Sequence, residues 1–184
     1  MANLYLLRLR NKLRIEKGNS VQVGKRTRIR GTYISIKGEN NRLVIKDGVK
    51  IRDSHIEING DNCLIEIGEN TLVGINSYLS AKEKNTKLII GKECALSRDI
   101  KLMTSDGHAI LHSGKRINPA EHIHIMDHVW LAIGVTVLKG VTIGEGSIVG
   151  IHSVLTKSIK DNVIAAGNPA KVVKEEVTHD WSST

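Results

Sequence analysis

Five of the eight histidines lie in or just after one segment, MTSDGHAILHSGKRINPAEHIH, which spans residues 103–124. Imidazole titrates near neutral pH, so a positioned histidine can take a proton from a substrate or bind a metal ion. Asp106 stands two residues before His108, and a carboxylate at that separation can orient an imidazole ring. The segment is therefore a candidate for acid–base chemistry. The five histidines are His108, His112, His122, His124 and His128.

A metal site is one alternative for this cluster. His122 and His124, together with Asp127 and His128, could supply zinc ligands, because imidazole and carboxylate groups both bind zinc. However, the repeat described next resumes at these histidines, where outward side chains are simply solvated. That simpler interpretation is the one we favour for these three histidines.

The rest of the chain repeats with a period of six residues. Aliphatic side chains stand six apart from Ile125 to Leu155, and an apolar or small residue follows each after four positions. This pattern is typical of a parallel β-helix, in which three short strands form one coil of about 18 residues. The aliphatic series is Ile125, Leu131, Val137, Ile143, Val149 and Leu155.

The earlier half keeps the period but adds a turn to each coil. Small Asn-bearing turns account for the residues beyond the basic coil of about 18, and they should protrude from one corner of the three-sided β-helix. Their sequences are GENNR, NGDNC and KEKNT. Counting in steps of six places Ser35 and Glu57 inward, level with Leu79 and Leu102. Tyr33 and His55 also fall on inward positions. Between Ile90 and Ile125 the spacing requires a loop at about 104–120, and loops of this length are usually functional.

Composition and charge restrict the class of protein. The chain has 184 residues, no Phe and a net charge of +8, and no stretch is apolar enough to span a membrane. Residues 1–60 carry a balance of +9, so an anionic polymer or a membrane surface could be a partner, although a solvated face is the simpler interpretation. No nucleic-acid-binding motif is present, Cys63 and Cys94 show no metal-binding spacing or disulfide framework, and Cys94 is expected in the core. We expect a cytoplasmic protein, at most peripherally associated with the inner face of the plasma membrane.

The hexapeptide run, the histidine-bearing loop and the closing AAGNPAKVVK together resemble the hexapeptide-repeat acetyltransferases. The resemblance covers residues 15–176 and implies a left-handed parallel β-helix, a homotrimer with sites between subunits, and acetyl-CoA as cosubstrate without a metal. The loop is most similar to that of enzymes acetylating bacterial surface polysaccharides, including polysialic acid O-acetyltransferases. Residues 1–14 would then be a basic N-terminal segment, and residues 177–184 a C-terminal tail.

The resemblance also implies roles for individual residues. The loop histidine of the family, which acts as general base, matches His108, and we expect Asp106 to orient it and His112 to be the alternative base. Trp130 matches the tryptophan that forms a wall of the site, and it could also pack at a subunit interface. Acetyl-CoA would lie along the coils beside this tryptophan, with its phosphates near the lysines. The matching cofactor-binding positions are Trp130, Ala132, Ile133, Gly150, Ile151, Lys157, Lys171 and Lys174.

Two positions depart from the family pattern. In the first, Ala132 replaces a glycine, and the second comprises the neighbours Ile151 and His152, which stand where small residues normally line the channel. The resemblance implies an O-acetyltransferase acting on a carbohydrate acceptor, with direct transfer and no covalent enzyme intermediate. An N-acetyltransferase of a nucleotide-linked amino sugar and a non-catalytic β-helix scaffold are the alternatives.

Overall fold

The computed structural model describes residues 4–180, with side chains from residue 7 onward. A short helix, α1 (Leu4–Arg10), precedes a series of seven coils, most of which are made of three short strands. Coil 1 contains β1 (Lys12–Ile15), β2 (Ser20–Val23) and β3 (Arg28–Arg30), and coil 2 contains β4 (Tyr33–Lys37), β5 (Arg42–Ile45) and β6 (Lys50–Arg52). Coil 3 contains β7 (His55–Asn59), β8 (Leu64–Ile67) and β9 (Leu72–Val73), and coil 4 contains β10 (Tyr78–Lys82), β11 (Lys87–Ile90) and β12 (Ala95–Leu96).

The fifth coil carries the long loop. It starts with β13 (Lys101–Met103), continues through the small hairpin of β14 (Leu111–His112) and β15 (Lys115–Arg116), and closes with β16 (Ile123–Ile125) and β17 (Trp130–Leu131). Coil 6 contains β18 (Thr136–Leu138), β19 (Thr142–Ile143) and β20 (Ile148–Val149). Coil 7 contains β21 (Val154–Leu155) and β22 (Ile164–Gly167), and β23 (Ala170–Lys174) then pairs antiparallel with β22.

Strands at the same place in successive coils pair in parallel and form three sheets, which are the faces of a triangular prism. Sheet 1 has the order β1-β4-β7-β10-β13-β18-β21, and sheet 2 has the order β2-β5-β8-β11-β16-β19. Sheet 3 has the order β3-β6-β9-β12-β17-β20-β22-β23. The protein is a left-handed parallel β-helix, as the resemblance implied.

The core is a stack of aliphatic side chains inside this prism. The predicted series from Ile125 to Leu155 is confirmed, because every member is at most 1% exposed. The small positions are confirmed too: Ser147 and Ser153 are fully buried. Alternation within each strand therefore places every second side chain outside, where it is available for function.

The register predicted for sheet 1 in the second and third coils was wrong by one residue. Ile34 and Ile56, not Ser35 and Glu57, stand level with Leu79 and are fully buried. The corners before β4 and β7 are one residue shorter than the corner before β10. As a result, Tyr33 and His55 lie on the outer face, where their rings stack at 4.7 Å.

The corner between sheets 1 and 2, here called the loop corner, carries the Asn-bearing turns. Asn40, Asn62 and Asn85 adopt positive φ there, as asparagine can do at low cost. In coil 5 this same corner expands into the long loop. The chain thus leaves the prism at one corner in every coil where the sequence exceeds the basic repeat.

The terminal segments pack against the prism. Leu7 of α1 is 7% exposed and joins the core, and β1 is the first strand of sheet 1, so part of the expected N-terminal segment is integral to the fold. At the other end, Val177 donates a backbone hydrogen bond to Asn162, and the His179 ring stacks on His128 at 4.4 Å. The ends of the expected segments, residues 1–3 and 181–184, lie outside the described residues. Between residues 4 and 180, no helix is long and apolar enough to cross a membrane.

Candidate active site

The long loop is held to the loop corner at its base. Thr104 is fully buried. Its carbonyl oxygen accepts a hydrogen bond from Glu121 N at 2.9 Å, and its Oγ1 accepts one from Lys82 N at 3.0 Å. Further out, the Arg116 guanidinium binds both carboxylate oxygens of Glu83 at 2.7 and 2.6 Å. This bidentate pair lowers the pKa of Glu83 and fixes the hairpin on coil 4.

Asn118 organises the segment around His108. Its side chain is 7% exposed, and its amide nitrogen donates to Asp106 Oδ2 and to the His108 carbonyl, each at 2.8 Å. Its amide oxygen accepts from Ile110 N at 2.6 Å. One buried side chain therefore holds the backbone on both sides of His108, and the sequence analysis did not identify it.

Asp106 is oriented by a lysine from the next coil. Lys139 Nζ lies 2.6 Å from Asp106 Oδ2, and this hydrogen bond, with that of Asn118, lowers the pKa of the Asp106 carboxyl. Within residues 4–180 no hydrogen bond joins Asp106 to the His108 ring. The structure links the carboxylate to His108 through the Asn118 amide, while direct orientation of the ring stays a prediction.

The five histidines differ in their surroundings. His108 and His112 are exposed on the loop, and neither ring makes a hydrogen bond to any part of the chain that the structure describes. His122 Nδ1 accepts from Lys87 N at 3.2 Å, and its ring stacks on His124 at 6.2 Å. His128 Nε2 lies 3.1 Å from the His179 carbonyl. Of these five histidines, only His108 and His112 present exposed rings without a hydrogen bond to the described residues.

No metal centre is formed by these groups. Among residues 4–180, no cluster of three or more His, Cys, Asp or Glu side chains could hold a metal ion. Cys94 is buried with a pKa raised to about 11 by desolvation, so it stays a protonated thiol near neutral pH.

The other predicted residues lie on the outer face of sheet 3. Trp130 is 37% exposed and donates through Nε1 to Ser97 Oγ at 3.4 Å. Beside it runs a row of positions without large side chains, here called the small-residue row. A Cβ built on Gly150 would lie 3.0 Å from the Ala166 Cβ, which shows how closely successive members stack. The row consists of Gly74, Ser97, Ala132, Gly150 and Ala166.

The corner that follows sheet 3 carries the two isoleucines. Ile133 is half-buried, and Ile151 is 61% exposed. His152 adopts φ 53° there and fills the space beside Gly134, where an added Cβ would lie 2.2 Å from His152 Nδ1. Ile151 and His152 therefore lie at the rim of the small-residue row, whereas Ala132 is one of its members.

The three lysines do not come together in one chain. Lys171 and Lys174 are exposed on β23, at the C-terminal end of sheet 3. Lys157 follows β21 at the loop corner, level with Lys139, because Val137 pairs with Leu155. Lys157 is therefore on the same corner as the loop, and not on sheet 3.

The predicted site residues thus form two groups on opposite sides of the prism. The loop corner carries Asp106, His108 and Lys157. Sheet 3 and the corner after it carry Trp130, Ala132, Ile133, Gly150, Ile151, Lys171 and Lys174. The loop corner joins sheets 1 and 2 and lies opposite sheet 3 in the three-sided cross-section, so the two groups are on different sides of a single chain.

The chain is similar to proteins of known function. No family model matches the sequence. Two curated relatives are polysialic acid O-acetyltransferases: one from Escherichia coli O1:K1 / APEC is 36% identical over 137 residues, and one from Neisseria meningitidis is 39% identical over 106 residues. These matches cover 73% and 56% of this chain but only 43% and 48% of the relatives, so the chain spans less than half of their length.

A solved structure matches over a longer stretch. The crystal structure of the polysialic acid O-acetyltransferase OatWY is 34% identical, and the match covers 95% of this chain and 90% of that one. The TM-score is 0.82. The similarity therefore extends over nearly the whole length of both chains.

Proposed function

The chain belongs to the hexapeptide-repeat acetyltransferase family that includes the polysialic acid O-acetyltransferases, and from this premise we propose that it is an O-acetyltransferase. The reaction would transfer an acetyl group from acetyl-CoA to a sugar hydroxyl of a bacterial surface polysaccharide or its precursor. The observation that carries the proposal is the loop: an exposed His108 whose flanking backbone is held by a buried Asn118.

The residues present fit acetyl-CoA as the donor. The small-residue row is narrow and open beside Trp130, which suits a thin, extended acyl-carrying arm. The exposed Lys171 and Lys174 lie at the C-terminal end of the same sheet, where ammonium groups can pair with phosphates. When bound, an acetyl thioester supplies an already activated acyl group.

His108 would supply what the acceptor lacks. A sugar hydroxyl has a pKa far above neutrality, so a base must take its proton as the new C–O bond forms. His108 takes that proton at its ring nitrogen and later releases it, while the CoA thiolate departs. Asn118 and Asp106 keep the backbone around His108 in place, so the ring samples few positions.

A complete site would need two copies of the chain. The loop corner of one subunit would face sheet 3 of the next, which brings His108 and Lys157 beside Trp130 and the small-residue row. Closed three-fold symmetry repeats this contact and yields three equivalent sites, so we propose a homotrimer. Sedimentation that shows a stable, active monomer would refute this assembly.

The direct test measures CoA release with a thiol reagent while acetyl-CoA is supplied with a panel of acceptors. We expect release with carbohydrate acceptors and a mass increase of one acetyl group on the glycan, lost after mild base because the product is an ester. A base-resistant product would indicate an amide and therefore N-acetylation. No release with any acceptor, and no thermal shift with CoA, would favour the non-catalytic scaffold.

A further inference from the structure

A second surface on sheet 3 is strongly basic. Arg28, Arg30, Lys50 and Arg52 line a groove of about 360 Å³ at the N-terminal end of the sheet, here called the arginine groove. No acidic side chain of residues 4–180 lines it. The proposed chemistry does not use these four cations.

Strand alternation explains why they gather. Ile29 and Ile51 point into the core, at 6% and 1% exposure, so the residues before and after each of them point outward. The register pairs Arg28 with Lys50 and Arg30 with Arg52 across β3 and β6. Four positive charges therefore stand on two adjacent coils, spaced about 4.8 Å apart.

This arrangement is electrostatically unfavourable without an anion. Like charges directly opposite one another in neighbouring strands are destabilising. Within the described residues, the single ion pair that any of the four forms is Arg52 with Asp53 at 3.7 Å, and the Arg52 side chain is 71% exposed. An anion bound in the groove would relieve the repulsion among the remaining cations.

The groove leads to Trp130. Lys50 stands level with Leu72, Leu72 with Ala95, and Ala95 with Trp130, so one outer row runs from the cations to the tryptophan. Leu72 is 43% exposed and gives this path an apolar floor. Three coils separate Lys50 from Trp130, which corresponds to about 14 Å.

We propose that the arginine groove binds an anionic polysaccharide acceptor, with its carboxylates on the cations and its chain directed along sheet 3 toward Trp130. The inference rests on the proposed function and adds the place on sheet 3 where the acceptor chain is bound before it reaches Trp130. Arginine binds carboxylates bidentately, and the floor at Leu72 suits the apolar face of a sugar ring. The donor and the acceptor then approach the same face from opposite ends.

Two other polyanions fit the observations less well. A membrane surface is flat, whereas these cations line a concave groove. Nucleic acid binding to single strands relies on aromatic stacking, and no aromatic side chain of residues 7–180 lines this groove. Both remain as outcomes of the test.

The test compares the wild type with Arg30→Ala/Arg52→Ala, using polysialic acid fragments of increasing length as probes. A matched control is Lys37→Ala/Arg42→Ala, which removes the same charge from exposed positions of coil 2 on the other two sheets. We expect the wild-type KM for acceptor to fall with length until the fragment spans the ~14 Å path, and to rise with salt. The groove variant should raise this KM about fivefold or more with kcat nearly unchanged, and should lose the length and salt dependence.

Direct binding separates this inference from the proposed function. Fluorescence anisotropy with labelled polysialic acid fragments needs no turnover, so binding that is lost in the groove variant supports the groove even if no acetyl transfer occurs. Acetylation of neutral glycans with equal KM in all three proteins would overturn the groove but keep the acetyltransferase. Groove-dependent binding to phosphatidylglycerol vesicles or to DNA that exceeds binding to the fragments would also overturn it.

Discussion

Lys139 Nζ lies 2.6 Å from Asp106 Oδ2 although 33 residues separate them in the sequence. The contact crosses from the loop of coil 5 to the loop corner of coil 6. The Lys139 side chain is 15% exposed, so water screens its charge less than that of a surface lysine. The pair ties the loop to the rigid coil stack on one side, while Arg116 and Glu83 tie it to coil 4 on the other.

Lys139→Met should lower kcat about tenfold or more, because small displacements of a catalytic group are costly in rate. Hydrogen exchange over residues 104–120 should become faster, while the coils keep their protection. Lys101→Met, at an exposed position of β13, is the matched control and should leave both unchanged. Equal loop protection in the two variants would contradict the anchoring role.

Acid should loosen the loop through Asp106. The pKa of Asp106 is lowered in the fold, mainly by the hydrogen bond from Lys139. The ionised carboxylate therefore stabilises the loop above the ordinary aspartate pKa of ~3.9, and this stabilisation is lost as the pH falls below that value. NMR titration of the Gly107 and Ile110 amides should report this change. In Asp106→Asn the acid-dependent shift of both amides should disappear, and its persistence would assign the effect to another group.

Asn118→Ala should reduce kcat about 10–100-fold with a small loss of global stability. The substitution removes three hydrogen bonds around His108 and leaves partly buried backbone groups unpaired, a local cost of about 1 kcal/mol. Kinetics and hydrogen exchange of residues 106–118 measure the two effects. A fall in melting temperature without a fall in kcat would show a purely structural role.

His108→Ala should lower kcat by ~10²–10⁴-fold, the range expected for loss of a general base, with folding and CoA affinity little changed. The rise of the rate with pH that a histidine base produces should vanish as well. His112→Ala, on the same loop, should retain most activity. If instead His112→Ala abolished turnover and His108→Ala did not, the base would be His112.

Mixing two inactive variants should restore activity if the site is shared. His108→Ala removes the base at the loop corner, and Gly150→Trp blocks the small-residue row on sheet 3. Random co-assembly in a cyclic trimer leaves about a quarter of the sites with both surfaces intact. We expect co-expressed variants to recover roughly that share of wild-type kcat/KM. No recovery in verified mixed trimers would place both surfaces in one chain.

The coil stack and the position of the loop follow from the residue pattern alone. Each coil contains aliphatic residues at a spacing of six in the sequence. The buried series from Ile125 to Leu155 and the protruding corner could therefore be predicted without tertiary information. The family resemblance added the left hand and identified His108 and Trp130 as candidates. These features are local, because each depends on one coil and its own turns.

Only the tertiary structure decided how the coils align and which distant side chains meet. One residue fewer in a corner reverses which side chains of the next strand point inward, and this directed Ile34 and Ile56 into the core in place of Ser35 and Glu57. The hydrogen bond between Lys139 and Asp106 joins residues of different coils, and so does the strand pairing that places Arg28 level with Lys50. The separation of His108 from Trp130 follows from the three-sided cross-section of the prism, because residues on different sides stay apart however close they are in sequence.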